Sequence, residues 1–417
     1  MTDPDRSTSG PPPEAAPWRR HLLVATSCAV LGLVVHTTGS FLPVGVTTVA
    51  LGVGLIGASF MLAWAADAGE TVFSGGLVLA AVALVGVLPE YTIEVHFAFV
   101  QEAGLVTANL TGATRLLLTG ATALPLLVAF LAQRRGQTPP PIRLSSHRRL
   151  ELGILLVTVV FGAQVVIRGS LTVIDGAVLL AFYVLYARRV QGSPDEAPAV
   201  VGVAAGLLSL PPSYRRPAVA ALIVGAGLVV VAIANPFTHA LLASGSSLGI
   251  DPYLMIQSVV PAATEAPEVV VVAVLVANRR PAQGLALFLA SSVSQWTLGL
   301  GSLPIAYMAG GGGIALPMAP REQLELALTS SVTLFVVAAL ATLRPERADA
   351  FLVAGVFAAQ VVWPTAFVRF AATFILLVFA INLLASRRRE VRPLLRAAFG
   401  RTGRSSSDEP GAEAAHA

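Results

Sequence analysis

Twelve apolar runs, most of them about as long as a bilayer's hydrocarbon core is thick, fix what this chain can fold into. They lie near His21–Thr38, Leu42–Ala66, Val72–Phe99, Gly104–Ala132, Leu150–Ile167, Leu171–Ala187, Pro217–Asn235, Ile250–Ala277, Gln283–Met308, Gln323–Leu343, Ala350–Trp363 and Thr365–Ala385. A span needs about 20 apolar residues, and only helices or closed barrels satisfy their backbone in lipid. Runs this long predict helices, so the chain reads as an all-α polytopic membrane protein of about twelve transmembrane helices. Composition agrees: charged residues are 12% of 417, against about 25% in a soluble domain.

All 27 basic residues are arginine, and 23 of them fall in alternate loops and the two tails. The positive-inside rule then places both termini, the Gln133–Arg149 loop and the Arg188–Arg216 loop in the cytoplasm, with the protein integral to the cell's inner membrane. Residues 1–20 read as a disordered N-tail, 21–190 as the first transmembrane half, 191–216 as a linker, 217–386 as the second half and 387–417 as a C-tail. In the linker, Ala199–Leu210 is apolar but too short to span, and reads as a short interfacial helix. A net charge of +4 carried on loops gives no nucleic-acid signature, and the single cysteine, Cys28, reads as packing.

Two short acidic stretches interrupt these runs, Val85–Glu94 (VGVLPEYTIE) and Ala263–Val272 (AATEAPEVVV). An ionisable residue inside a span is costly, which marks it as a functional candidate. Each stretch is followed by a run carrying amides and hydroxyls, one holding Asn109, Thr111, Thr114 and Arg115, the other Ser291, Ser292, Ser294 and Gln295. The Pro89-Glu90 and Pro267-Glu268 pairs are 178 residues apart, and that offset maps the neighbouring runs onto one another. Five spans repeated once come out upside down, giving two inverted five-helix repeats with one extra helix at each end, the plan of many secondary transporters.

Glu90 and Glu94 share a helix face at i,i+4 spacing, and Glu265 and Glu268 do so at i,i+3. With Asn109, Thr114, Thr264, Ser291 and Ser292 they form an all-oxygen donor set, which suits hard cations such as Na⁺ or Ca²⁺ over zinc or copper. Arg115, near mid-depth in its run, is expected to pair with Glu94 or Glu265 and act as a tethered cation that offsets their charge. His96 reads as a mouth-facing or satisfied histidine, and Asp251 as a solvated helix end.

At these residues the chain resembles the cation/calcium exchanger superfamily, the sodium/calcium-exchanger membrane region. Pro89-Glu90 and Pro267-Glu268 match the cores of its two alpha repeats, Thr264 a threonine of the second, and Ala108–Thr114 the second half of the first. The chain departs from the pattern at Gly86-Val87, Glu265 and Arg115. The resemblance implies a secondary antiporter exchanging Na⁺ or Ca²⁺ for H⁺, or Ca²⁺ for Na⁺, with no cofactor and with inorganic cations and the lipid bilayer as partners. Such a protein exposes a midplane site alternately to each side. An inactive or sensory protein that keeps the fold is the competing reading. An enzyme lacks its motifs here: there is no HExxH and no nucleophile–base pair at plausible depth.

In intact cells, a membrane-impermeant maleimide should leave Gln137→Cys unlabelled on a Cys28→Ser background. Labelling before the cells are broken would overturn the orientation.

Overall fold

The computed structural model describes residues 18–38, 41–73, 87–138, 141–190 and 200–400. The expected disordered tail lies almost wholly outside these residues, as does the first part of the Val72–Phe99 run. The chain opens with α1 (Trp18–Thr38), α2 (Val44–Val72), α3 (Leu88–Phe99) and α4 (Ala103–Arg134). A 3₁₀ turn at Ser146–Arg148 leads into α5 (Arg149–Arg168), and β1 (Ser170–Thr172) into α6 (Val173–Val190). The linker holds α7 (Gly202–Leu208), the short helix expected there.

The second half begins with α8 (Pro212–Ser247), followed by α9 (Pro252–Thr264), α10 (Ala266–Ala277) and α11 (Pro281–Ser294). A π-helical turn at Gln295–Gly299 joins α11 to α12 (Leu300–Ala309). After β2 (Ala315–Pro317) come α13 (Pro320–Leu340), α14 (Arg347–Val362), α15 (Ala366–Ser386) and α16 (Arg388–Phe399). The only sheet among the described residues pairs β1 with β2, three residues each, antiparallel, clipping the two halves together at one end of the bundle.

Among the described residues seven helices are long and apolar enough to cross a membrane, and the bent α9–α10 pair makes an eighth. The other expected spans are interrupted or short: α11–α12 is divided by the π turn, α6 carries Asp175, Arg188 and Arg189, and α14 has 16 residues. The helix expected to end at Asn235 runs on through Pro236 to Ser247. Proline is tolerated there because neighbouring helices re-satisfy the backbone it frees.

The prolines act differently at the acidic stretches. Pro261 and Pro267 flank the α9–α10 junction, where the axis bends by 50° at Glu265. Pro267 has no N–H to give the carbonyl of Ala263, so the helix must restart. It restarts with proline at its second position, where the missing N–H costs nothing. Leu88-Pro89-Glu90 opens α3 in the same way, so Glu90 and Glu268 each occupy the third position of a new helix. There the helix dipole presents its positive end, which favours a carboxylate.

Packing follows the repeat. Helix α2 packs on its 178-residue counterpart α8, with α1 alongside both. Helix α4 crosses the middle of the molecule and meets α3, α9, α11, α13 and α14. Its Gly112 lies against the backbone of Gln257 on α9, leaving no room for a side chain. Gly112→Ala would drive a methyl group into that carbonyl and push the helices apart. The substitution should destabilise by about 1–3 kcal/mol, as over-packing does, read as a lower melting temperature in detergent; an unchanged melt would contradict the close α4–α9 crossing.

Candidate functional site

Broken helices and the crossing helix converge on one buried cluster. Glu90 is 3% exposed, Glu94 0% and Glu265 1%, while Glu268 is half-buried at the start of α10. The carboxyls of Glu90 and Glu265 are close neighbours in this cluster. Glu94 accepts from the Asn109 amide at 3.2 Å. Glu268 accepts from the Ser291 hydroxyl at 2.8 Å. Glu265 accepts from the Gln295 amide at 3.4 Å, within reach but weak. The charges acting on Glu90 and Glu265 are those of the other site glutamates.

These bonds leave acceptors over. Glu90 Oε2, Glu94 Oε2, Glu268 Oε2, Asn109 Oδ1 and Gln295 Oε1 are all buried without a hydrogen-bond donor among the described residues. Each would cost about 1–3 kcal/mol or more if left so. The arrangement answers to something positively charged or protonated. No three His, Cys, Asp or Glu side chains among the described residues are gathered tightly enough to hold a metal by themselves. A cation bound here would need amide, hydroxyl or carbonyl oxygens as well, which is how hard cations are usually held.

The other expected donors are nearby in sequence but engaged differently. The hydroxyls of Thr264, Thr114 and Ser292 donate to the carbonyls of Val260, Leu110 and Phe288, one turn back on their own helices. Thr114 lines a narrow crevice with Thr111, Gln295, Trp296 and Thr329. Gln295 belongs with the site more clearly than Ser292, and its signal was present: it opens the π turn, a distortion frequent at functional positions. Tyr91 was given no role in the sequence, yet its hydroxyl donates to the carbonyl of Ser294 at 3.1 Å and fastens α3 to that turn. Toward the other end of α3, the His96 ring is hydrogen-bonded to Asn235 of α8 at 2.9 Å.

Arg115 does not pair with Glu94 or Glu265. It lies on another face of α4, where its Nη2 meets Glu325 Oε2 at 2.7 Å and its Nη1 donates to Gln360 Oε1 at 2.8 Å. Arg369, near the start of α15, is 5% exposed, and its Nε meets Glu325 Oε1 at 2.5 Å. Gln257 of α9 completes the network, donating to Glu325 Oε2 at 3.0 Å and to Thr111 Oγ1 at 3.2 Å. The reason is competition: Glu325, fully buried on α13, has two arginines as its means of compensation. Glu94 and Glu265 already have amides. At the surface nearby, Asp251 is paired with Arg321 at 2.7 Å and is not simply solvated.

A sequence profile described as sodium/calcium exchanger protein matches residues 26–190 and 218–388, one segment in each half. Among solved structures, an H⁺/Ca²⁺ exchanger called CAX superposes with a TM-score of 0.85 at 29% identity, over 92% of this chain and 98% of that one. Native YfkE superposes with a TM-score of 0.56 at 13% identity, over 88% and 99%, a likeness of fold alone. No curated protein matches by sequence.

Glu325→Gln would leave two buried arginines without their anion. The loss should be about 3–5 kcal/mol, as for other broken buried pairs, whereas Arg321→Gln at the exposed pair should change stability by about 1 kcal/mol or less. Equal melting temperatures for the two variants would show that the buried network carries no special load.

Proposed function

The chain belongs to the sodium/calcium exchanger protein family, and from that premise we propose that it is a secondary antiporter exchanging Ca²⁺ for H⁺ through the glutamate cluster. One observation carries this reading: Glu90, Glu94 and Glu268, with Asn109 and Gln295, present buried acceptor oxygens that the protein's own donors do not satisfy. Oxygen donors of this kind suit a hard cation. Closely spaced carboxylates titrate as a set, so protons and a cation compete for the same oxygens. Competition for one site is what obligatory exchange requires. The likeness to a structure described as an H⁺/Ca²⁺ exchanger supports calcium and protons over sodium.

Each part of the cluster has a task in that cycle. Glu90 and Glu268, at the positive ends of α3 and α10, bind the cation. Glu94 and Glu265 lie on the outer side of Glu90 and Glu268, by about 6 and 4.5 Å at 1.5 Å per residue, and take up protons when the cation leaves. Asn109, Ser291 and Gln295 orient the carboxylates, while the oxygens of Thr264 and Thr114 and the freed carbonyl of Ala263 are the further donors a hard cation would draw on. The break at Glu265 lets α9 and α10 change their angle, so that the site faces one side and then the other. Both termini are assigned to the cytoplasmic face of the inner membrane.

The test is flux in proteoliposomes: Ca²⁺, Na⁺ and K⁺ each against an imposed pH gradient. Ca²⁺ uptake coupled to proton release is expected, and Glu90→Gln and Glu268→Gln should each abolish it while still inserting and purifying. An amide keeps the shape but removes the charge that replaces the ion's hydration. Flux coupled only to Na⁺ would move the assignment to that ion. Absence of any flux from well-folded protein would favour the inactive or sensory reading.

A further inference from the structure

Helix α16 is not used by the exchange cycle, and its surface is divided three ways. At about 100° per residue, Val391, Leu394 and Ala398 form one face, which the protein covers: Leu394 and Ala398 are buried. Arg388, Arg392, Arg396 and Arg389 fall within a sector of about 100° on the other side, and all four are exposed. Leu395 lies at the edge of that sector and Phe399 just inside it, between Arg388 and Arg392, 39% and 52% exposed.

The rotation of the helix is fixed, so this division belongs to the folded protein. Glu390 accepts from Arg149 at 3.2 Å at the start of α5. The carbonyl of Leu394 lies against Gly153, where a side chain would collide with it. Arg189, at the end of α6, donates to the carbonyls of Ala397 at 2.5 Å and Gly400 at 2.9 Å. These ties hold α16 across the ends of α5 and α6. Its first residue follows the end of α15, a spanning helix, by two positions. A helix so placed lies at headgroup depth.

We propose that α16 is a docking surface for anionic phospholipid headgroups. The four arginines have no acidic partner among the described residues. Beside them, Leu395 and Phe399 offer apolar area to the acyl boundary directly beneath the headgroups. A layer of negative charge over an apolar phase is what this pairing complements, and basic helices at the interface bind such surfaces. A soluble acidic protein would match the arginines but would leave the two apolar side chains facing lipid without a role.

The experiment uses the full chain in bilayers. Leu395→Cys on a Cys28→Ser background is labelled with bimane, and quenching by spin-labelled phosphatidylglycerol is compared with quenching by spin-labelled phosphatidylcholine at equal mole fraction. Phosphatidylglycerol should quench at least about two-fold more strongly, a local enrichment expected from several basic residues at the surface. Raising the salt from about 0.05 to 0.5 M should collapse the preference without any mutation. Substituting Arg388, Arg389, Arg392 and Arg396 by Gln should abolish it. The same change at Arg134, Arg135, Arg279 and Arg280 should not. Equal quenching by both lipids, a label open to water-soluble quencher alone, or a preference indifferent to salt would each overturn the proposal.

Discussion

Everything in this fold answers to the cost of holding carboxylates at membrane depth. A lone ionised side chain there is expensive, and four of them gathered together repel one another as well. Helix ends, side-chain amides and a hydroxyl are what the chain spends on the problem. By breaking two spans at Pro-Glu, it brings the positive ends of α3 and α10 to Glu90 and Glu268. By crossing the centre with α4 and α11, it brings Asn109 to Glu94 and Ser291 to Glu268. The prolines are therefore part of the electrostatics, since without them those helix ends would not lie in the interior.

Two buried ionic systems share α4 and differ in kind. Around Glu325 the charges are over-balanced, with two guanidinium groups and the Gln257 amide on one carboxylate. Around Glu90 and Glu265 acceptors outnumber donors. A network of the first kind, in which cations outnumber the carboxylate, favours one geometry and resists change. The second kind is completed by whatever cation or proton enters, which makes its geometry responsive to what is bound. Placing both on one helix gives the deficient cluster a rigid support.

The sequence disclosed the parts whose physics is local. Apolar length gave the helices, Pro-Glu spacing gave the breaks and the repeat, and i,i+3 or i,i+4 spacing put the glutamates in pairs. Partner choice was less legible. The sequence points Arg115 at Glu94 or Glu265, and only packing puts α13 with Glu325 beside it. Glu325 lies in the apolar run 323–343, and an acid near a helix start does not by itself show that it is buried. Arg369, near the start of α15, gives no sign in the sequence of its burial against Glu325. Helix α16 was hidden in a stretch so rich in arginine that composition alone reads as a tail. Its amphipathic period emerges only when the residues are placed on a helix.

The repeat also explains where the two halves must differ. The string from Ala108 to Arg115 parallels the string from Ala290 to Thr297, and the second residue of each, Asn109 and Ser291, bonds to a site glutamate. The eighth residues diverge. Arg115 joins α4 to α13, α14 and, through Glu325, α15. Thr297 bonds back to its own helix at Val293, within a π turn that Trp296 fastens to Thr333 of α13 at 2.9 Å. One crossing helix is thus anchored by charge and continues as regular α-helix, while its counterpart is anchored by neutral hydrogen bonds from Trp296 and Tyr91 and carries a distortion. Two units that began as copies have divided the work, and the softer unit is the one that holds Gln295 against Glu265, beside the bend between α9 and α10.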